Sequence, residues 1–376
     1  MKETSAERHF SLEPGRNCWR TGRAERGAFL VGGAAYYAAF RRAVLAARHY
    51  VHILAWDING GIDLVRDPDH DDGYPHRLAE FLYAALDAKP DLEIRILLWD
   101  YSMVYIAERE WLPFARWRRD PHPRLRLEKD AALNLGASHH QKIVVVDDRL
   151  AFSGGLDLST WRWDTAEHRA RDGRRKDPKG EPYQPYHDVQ LLVAGPVARD
   201  FGELCALRWR RALGESLPRT EARADEDWAG LWPDGVAPDF EGRELGLSLT
   251  FSEYGSYPAV RQVERLHLDL IAAARRHIYI ENQYLSSHRL VRALSERLRE
   301  PGGPEVVIIL TRDTGGVLEE GTMGVLRNRL LELLEAADTE GRFHAYYPCV
   351  EDADGYRSQM YVHAKVVVVD NRVMKL

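Results

Sequence analysis

The sequence predicts an α/β protein made of two halves that share one fold, each half a mixed β-sheet flanked by helices in α-β-α layers. Three blocks that recur in the same order carry this expectation. The first block, AVLAARHYVHILAWD ending at Asp57, is echoed by DLIAAARRHIYIENQY ending at Tyr284. In each, a helical face of Leu and Ala gives way to an alternating run, Val51-His52-Ile53 or Ile278-Tyr279-Ile280, as where a helix feeds a strand. The second block is a dense apolar run, LEIRILLWD ending at Asp100 and EVVIILTRD ending at Asp313, which reads as a buried strand. The third is the sharpest: HHQKIVVVDD from His139 and VHAKVVVVDN from Val362.

The spacing between the copies differs only by loop-sized amounts, so the chain divides into segments. Residues 1–27 form an N-terminal segment, 28–213 the first half, 214–245 a linker or surface excursion, and 246–376 the second half. The linker carries the acidic, Pro- and Gly-bearing run EARADEDWAGLWPDG. With 376 residues, 45% of them hydrophobic and 29% charged, the chain has ample material for a buried core, which excludes a disordered or fibrous protein. A net charge of -6 argues against a polycation built to coat nucleic acid. Cys18, Cys205 and Cys349 are odd in number and widely spaced, which implies neither a disulfide framework nor a zinc site. The N-terminus lacks the apolar run of a secretory signal, and the longest apolar stretch, Ala28 to Ala47, is cut by Arg41 and Arg42. A cytoplasmic chain, or one peripheral at the inner face of a membrane, is expected.

Chemistry concentrates in the third block. His140, Lys142 and Asp147 recur as His363, Lys365 and Asp370, with almost entirely β-branched residues between Lys and Asp. Residues two apart on a strand share a face, so each His should project with its Lys. An imidazole beside an ammonium on a buried strand is costly without a partner, and a phosphate anion is the natural one. Lysine supplies charge for its oxygens, and histidine can act as nucleophile or as general acid and base. One pair from each half places two histidines across one phosphodiester. Asp147 and Asp370 lie too far along the strand to reach it and are expected to be structural.

This duplicated pattern resembles the HKD motif of the phospholipase D superfamily, and its surroundings resemble the phospholipase D branch. The first copy is followed by a Gly-Gly-x-Asp element, here Gly154, Gly155 and Asp157, and by an R-W-D-T-x-x-H run from Arg162 to His168. PYHDVQLLVAGP supplies His187, Asp188, Gly195 and Pro196, and IYIENQYL precedes the second copy. The resemblance covers the chain from about Ala28 to Leu376. It implies two phospholipase D-like halves related by a pseudo-twofold axis, with one active site at their interface. By that resemblance His140 is the nucleophile that forms a phosphohistidine, and His363 protonates the leaving alcohol. Lys142 and Lys365 hold the non-bridging oxygens. Asp188 accepts a hydrogen bond from a catalytic imidazole, and Asn282 and Gln283 either line the pocket or serve a structural role. No metal or cofactor is required.

The chain ends six residues after Asp370, where the family has a G-S-x-N turn and, beyond it, a second histidine-orienting carboxylate. The expectation is therefore a C-terminally truncated piece of a longer protein, whose continuation could include a membrane domain and whose last strand is left at an exposed edge. The expected activity is a phospholipase D that converts glycerophospholipids to phosphatidic acid and head-group alcohol, with transphosphatidylation. A cardiolipin synthase-like phosphatidyltransferase and an HKD-type nuclease are the alternatives within the superfamily, and an inactive lipid-binding scaffold is the alternative outside enzymes. The partner is a phospholipid at a membrane surface, with no nucleic acid. Two smaller features accompany the site. RDPDHDDGYPH, Arg66 to His76, reads as a solvated loop rather than a metal site. The basic run Arg169 to Gly180 and the neighbouring Trp161 and Trp163 are candidates for contact with an anionic bilayer.

Overall fold

The computed structural model describes residues 10–100, 117, 121–134, 136–219, 228–312 and 323–376. An eight-stranded sheet holds most of the first half. Its strands are β1 (Arg20–Val31), β2 (Tyr50–Ala55), β3 (Glu93–Trp99), β4 (Leu125–Asp130), β5 (Ile143–Val146), β6 (Leu150–Gly154), β8 (Val189–Ala194) and β9 (Phe240–Leu247), in the order β4-β3-β2-β5-β6-β8-β1-β9. Strands β2, β3 and β4 run parallel, and the remaining neighbours pair antiparallel.

The second sheet repeats the inner part of this plan. Strands β12 (His277–Asn282), β13 (Glu305–Leu310), β14 (Phe343–Tyr346), β18 (Val366–Val369) and β19 (Val373–Lys375) lie in the order β14-β13-β12-β18-β19. Here β12, β13 and β14 are parallel, while β18 is antiparallel to both β12 and β19. Val51 faces Val146 in one sheet and Ile278 faces Val369 in the other, which is the register of the first and third repeated blocks. For the second block the register differs from the sequence match. Tyr50 pairs with Glu93 and His277 with Glu305, so Glu93 corresponds to Glu305, one residue off the alignment of Asp100 with Asp313. A one-residue slip would exchange the faces of the strand, and the buried residues Ile94, Ile96 and Leu98 against Val306, Ile308 and Leu310 fix the observed register. Asp313 itself lies outside the described residues.

Helices α1 (Gly33–Ala46) and α2 (Leu78–Ala88) cover one face of the large sheet, and α3 (Pro196–Leu213) covers the other. On the second sheet α4 (Gln262–Ala273), α5 (His288–Arg299) and α6 (Val325–Ala337) pack with Ile278, Val306, Ile308 and Leu310. The opposite face presents Val366 and Val368 to Phe29, Val31 and Val189 of the first half. A short parallel pair, β7 (Tyr186–His187) with β17 (Tyr361–Val362), completes the junction. The remaining short strands are β10 (Thr250–Phe251) with β11 (Val260–Arg261), and the hairpin of β15 (Cys349–Glu351) and β16 (Arg357–Gln359). None of the described helices is long and apolar enough to cross a membrane.

Two boundaries move from those read in the sequence. Arg20–Gly27, assigned to the N-terminal segment, is the first part of β1. Phe240–Leu245, assigned to the linker, belongs to β9 on the edge of the first sheet. These stretches are rich in charge because their side chains form ion pairs at the surface, Arg26 with Glu241 at 3.1 Å for one. Of the linker, residues 220–227 lie outside the described residues. The last strand, β19, does lie at the edge of its sheet.

Candidate active site

The site is assembled where β5 and β18 begin. His140 and Lys142 stand outside regular structure just ahead of β5, and His363 and Lys365 just ahead of β18, so the motif side chains are carried off the strand ends rather than on the strands. The four β-branched or apolar residues after each Lys are what anchor them, since β5 and β18 are each the neighbour of a central strand. Each lysine turns back on its own motif: Lys142 Nζ donates to the His140 carbonyl at 3.2 Å, and Lys365 Nζ to the His363 carbonyl at 2.6 Å.

The structure brings the two copies together. The His140 and His363 rings lie 6.1 Å apart between centroids, inclined by 50°. Their settings differ. His363 is buried, and its Nδ1–H donates to Asp188 Oδ2 at 2.6 Å. His140 is exposed to solvent, its ring set edge-on to Trp56 at 5.4 Å. Both imidazoles sit well below the ordinary histidine pKa. For His363 the causes are burial and then the positive charge of Lys365, Arg162 and Lys142. For His140 desolvation in the cleft is again the larger cause, followed by Lys142 and Lys365. Because that ring is open to water on one side, the charge of its neighbours is the cause that bears on its chemistry. Burial pushes the Asp188 carboxyl up, and Lys365 pulls it back. Burial pushes Lys365 down in turn.

The Gly-Gly-x-Asp element explains why these groups stay in place. A Cβ on Gly155 would lie 2.1 and 2.3 Å from the carboxylate oxygens of Asp188, and one on Gly154 would lie 2.4 Å from the Val189 carbonyl. Both glycines are there because the Asp188 segment is pressed against them. Asp157 is more than a turn residue: its Oδ2 lies 2.9 Å from Lys142 Nζ, and its Oδ1 accepts from the Trp56 amide. Asp147 and Asp370 stay away from the paired histidines and lysines. Asp147 accepts the backbone N–H groups of Arg48, His49 and Tyr50, and Asp370 those of Arg275, Arg276 and His277. Each ties the start of β2 or β12 to the end of β5 or β18, the same fastening in both copies.

Asn282 and Gln283 occupy a shell behind the rings. The Gln283 amide donates to the hydroxyls of Tyr284 and Tyr361 at 2.6 Å, and Asn282 Oδ1 accepts from the Tyr284 amide at 3.3 Å. Tyr361 stacks on Tyr186 at 5.6 Å, and Tyr186 lies 5.5 Å from His363. Sequence reasoning passed over Tyr186, Arg162, whose guanidinium lies over the Tyr186 ring at 5.0 Å, and the hydrogen-bonded pair His187 and Glu281. All three lie in segments that carry the family resemblance, but nothing in their spacing says which side chains turn inward.

Residues 114–227 match the phospholipase D family model. The chain is 25% identical over 401 residues to phospholipase D A of Dictyostelium discoideum, covering 90% of this chain and 30% of that protein. It is 26% identical to phospholipase D alpha 1 of Oryza sativa subsp. japonica over 64% of this chain and 38% of the relative. These matches support membership of the phospholipase D superfamily. Among solved structures, the chain resembles the phosphatidylserine synthase of Haemophilus influenzae Rd KW20 in fold, with a TM-score of 0.54 at 13% identity, covering 94% of this chain and 78% of that one. It spans well under half the length of the phospholipase D relatives just named.

The outlying features of the chain are also placed. In the loop from Arg66 to His76, Asp72 pairs with the buried Arg41, which also donates to the carbonyls of Tyr74 and Pro75. In the basic run, Arg171 pairs with Asp352 and Asp354, Arg174 with Asp172, and Arg175 with the buried Asp164. Three of its arginines are thus matched with acids, which leaves less free charge than the sequence suggests. Trp163 is buried and Trp161 is 47% exposed, one residue before Arg162.

Proposed function

We propose that this chain carries the phosphodiester-cleaving site of a phospholipase D, which hydrolyses the distal phosphodiester of glycerophospholipids to phosphatidic acid and a free head-group alcohol. The observation that supports it most is the pair of imidazoles 6.1 Å apart, one open to solvent and one held on its far side by Asp188. His140, exposed and neutral, attacks phosphorus; the P–N bond forms as the bond to the head-group oxygen breaks. His363 delivers a proton to that oxygen from Nε2, because its Nδ1–H is engaged by Asp188. Water then yields a proton to His363 and its oxygen to phosphorus, releasing phosphatidate and restoring His140. Lys142 and Lys365 hold the non-bridging oxygens. The anion raises the pKa of His363 by offsetting the positive charge around it, which suits the ring to act as an acid only when substrate is bound.

The partner in this reading is a phospholipid in a bilayer, met peripherally, with Trp161 at the approach. The test is release of head group and phosphatidate from vesicles of phosphatidylcholine or phosphatidylethanolamine by the purified protein, with loss on His140→Ala. No phosphatidate from either lipid overturns the reading. Phosphatidyl transfer is the same first step with an alcohol in place of water, and a cardiolipin-like product from phosphatidylglycerol would assign the chain to that reaction instead.

A further inference from the structure

A second series of titratable groups runs between the halves beside the site. Asp164 Oδ1 accepts from Arg175 Nη1 at 3.0 Å and from the Thr165 amide at 2.9 Å. Its Oδ2 accepts from the Tyr186 amide at 2.9 Å and lies 3.1 Å from His168 Nδ1. His168 Nε2 is 3.0 Å from His187 Nδ1, and His187 Nε2 is 3.0 Å from Glu281 Oε2. The Tyr279 hydroxyl donates to Glu281 Oε1 at 2.6 Å. Asp164, His168 and Arg175 lie in the segment between β6 and β7, His187 on β7, and Glu281 and Tyr279 on β12. The series therefore fastens β7 to both halves.

Counting protons gives this series a property that no single member has. Its three contacts at ring nitrogens need three N–H groups. Asp164 accepts from the Arg175 guanidinium and from the Thr165 and Tyr186 amides, so its contact with the ring takes the N–H from His168. Burial pushes the Glu281 carboxyl up, but the bonds from His187 and Tyr279 outweigh that and hold it below its usual range. Two neutral imidazoles own two N–H groups between them, so the complete series requires a third proton, making the pair a shared imidazolium. The charged groups that face the pair are Asp164 and Arg175 at one end, Glu281 at the other, and Asp188 next to His187.

We propose that the His168–His187 pair stores one exchangeable proton, and that this proton holds β7 in the position that sets His363 for reaction. The link to the site is short and rests on the reading of His363 as catalytic. The His187 carbonyl accepts from the backbone N–H groups of His363 and Ala364 at 2.8 and 3.2 Å, and the next residue, Asp188, binds the His363 ring. When the third proton leaves, the lone pair of one ring nitrogen faces an acceptor, one of the three contacts fails, and β7 is free to shift. His168, His187 and Glu281 are thus positioning residues, and the site loses turnover as pH rises through the release of this proton.

Glu281→Gln tests it, because a glutamine amide can donate to His187 Nε2 and so completes the series with two neutral rings. The first measurement is a ¹H–¹⁵N titration of the histidine rings in the whole chain from about pH 5 to 9. The expected result is three ring protons on the pair at low pH and two at high pH in the native protein, and two throughout in E281Q. The second is turnover of bis(4-nitrophenyl) phosphate across the same range. In the native protein kcat falls about tenfold with KM unchanged as the third proton leaves, and that step is missing from the E281Q profile. Two neutral rings at every pH in the native protein, or superimposable profiles for the two proteins, overturn the proposal. Because the ring titration needs no activity, a protein that stores the proton but cleaves no diester overturns the assignment of His363 and leaves the proton store standing.

Discussion

Replacing Gly155 by alanine tests whether Asp188 governs the reactivity of His363. The added Cβ would meet Asp188 Oδ1 at 2.1 Å and Oδ2 at 2.3 Å, where tolerable contacts begin at 3.0 Å. The carboxylate is wholly buried, so it has no solvent to escape into. To restore contact it must retreat by about 1 Å, which stretches the 2.6 Å bond to His363 Nδ1 beyond hydrogen-bonding range. A displacement of that size at a reacting group costs about 10²-fold in rate, or about 2.7 kcal/mol of transition-state stabilisation. Overpacking adds about 1–3 kcal/mol of lost stability. The assay is kcat on a soluble phosphodiester at a temperature below the unfolding midpoint of each variant, for G155A, D188A and the double variant. If Gly155 acts through Asp188, the double variant is no slower than D188A alone, because the group that the methyl displaces is already gone. A G155A protein within about threefold of the native rate, or losses that multiply in the double variant, would refute the reasoning.

Two further outcomes follow from the same geometry. In the proposed reaction His363 carries a proton to release the alcohol, so the rate falls as pH rises past its pKa; because the bound anion raises that pKa, the alkaline limb of kcat should lie at higher pH than that of kcat/KM. Coincident or reversed limbs in steady-state profiles would contradict the role given to the substrate's charge. Asp147→Ala should lower stability to urea by about 3 kcal/mol, since it strips the acceptor from three backbone N–H groups, that of Tyr50 buried, while Asp370→Ala at its more exposed site should cost about 1 kcal/mol. Equal losses would show that burial does not set the cost of this fastening.

The repeat was legible because a strand buried on both faces leaves a continuous apolar run, and Ile143–Val146 and Val366–Val369 are such runs. The edge was not. Arg20–Gly27 and Phe240–Leu247 carry Arg, Glu and Gly on surfaces that face water, so their pairing rests on backbone bonds and ion pairs that leave no periodic mark. The motif lysines and histidines were legible from their spacing, but their partners were not. Asp188 is 175 residues from His363 in sequence, and Asp157 reaches Lys142 only after the chain has turned through β5 and β6. A resemblance to a family pointed to Asp188; no local pattern in the chain could have done so.

The differences between the copies say more about the site than their identities. Leu54 and Glu281 occupy the same register position, opposite Ile143 and Val366 respectively. In the first sheet that face lies under α3, and Leu54 is packed among Val197, Leu204 and Trp209. In the second the same position meets β7 of the other half, and an apolar side chain there would leave His187 Nε2 without an acceptor in a partly buried junction. A duplicated fold gives both halves the same strand with the same inward residues, so a carboxylate in place of a leucine at one copy marks where the halves meet. In the proposed reaction the motif residues match in both copies because each half supplies an imidazole and an ammonium to one phosphate. The residues that orient them differ between the copies: Asp188 of the first half holds the His363 ring across the junction, whereas the His140 ring lies against Trp56 of its own half.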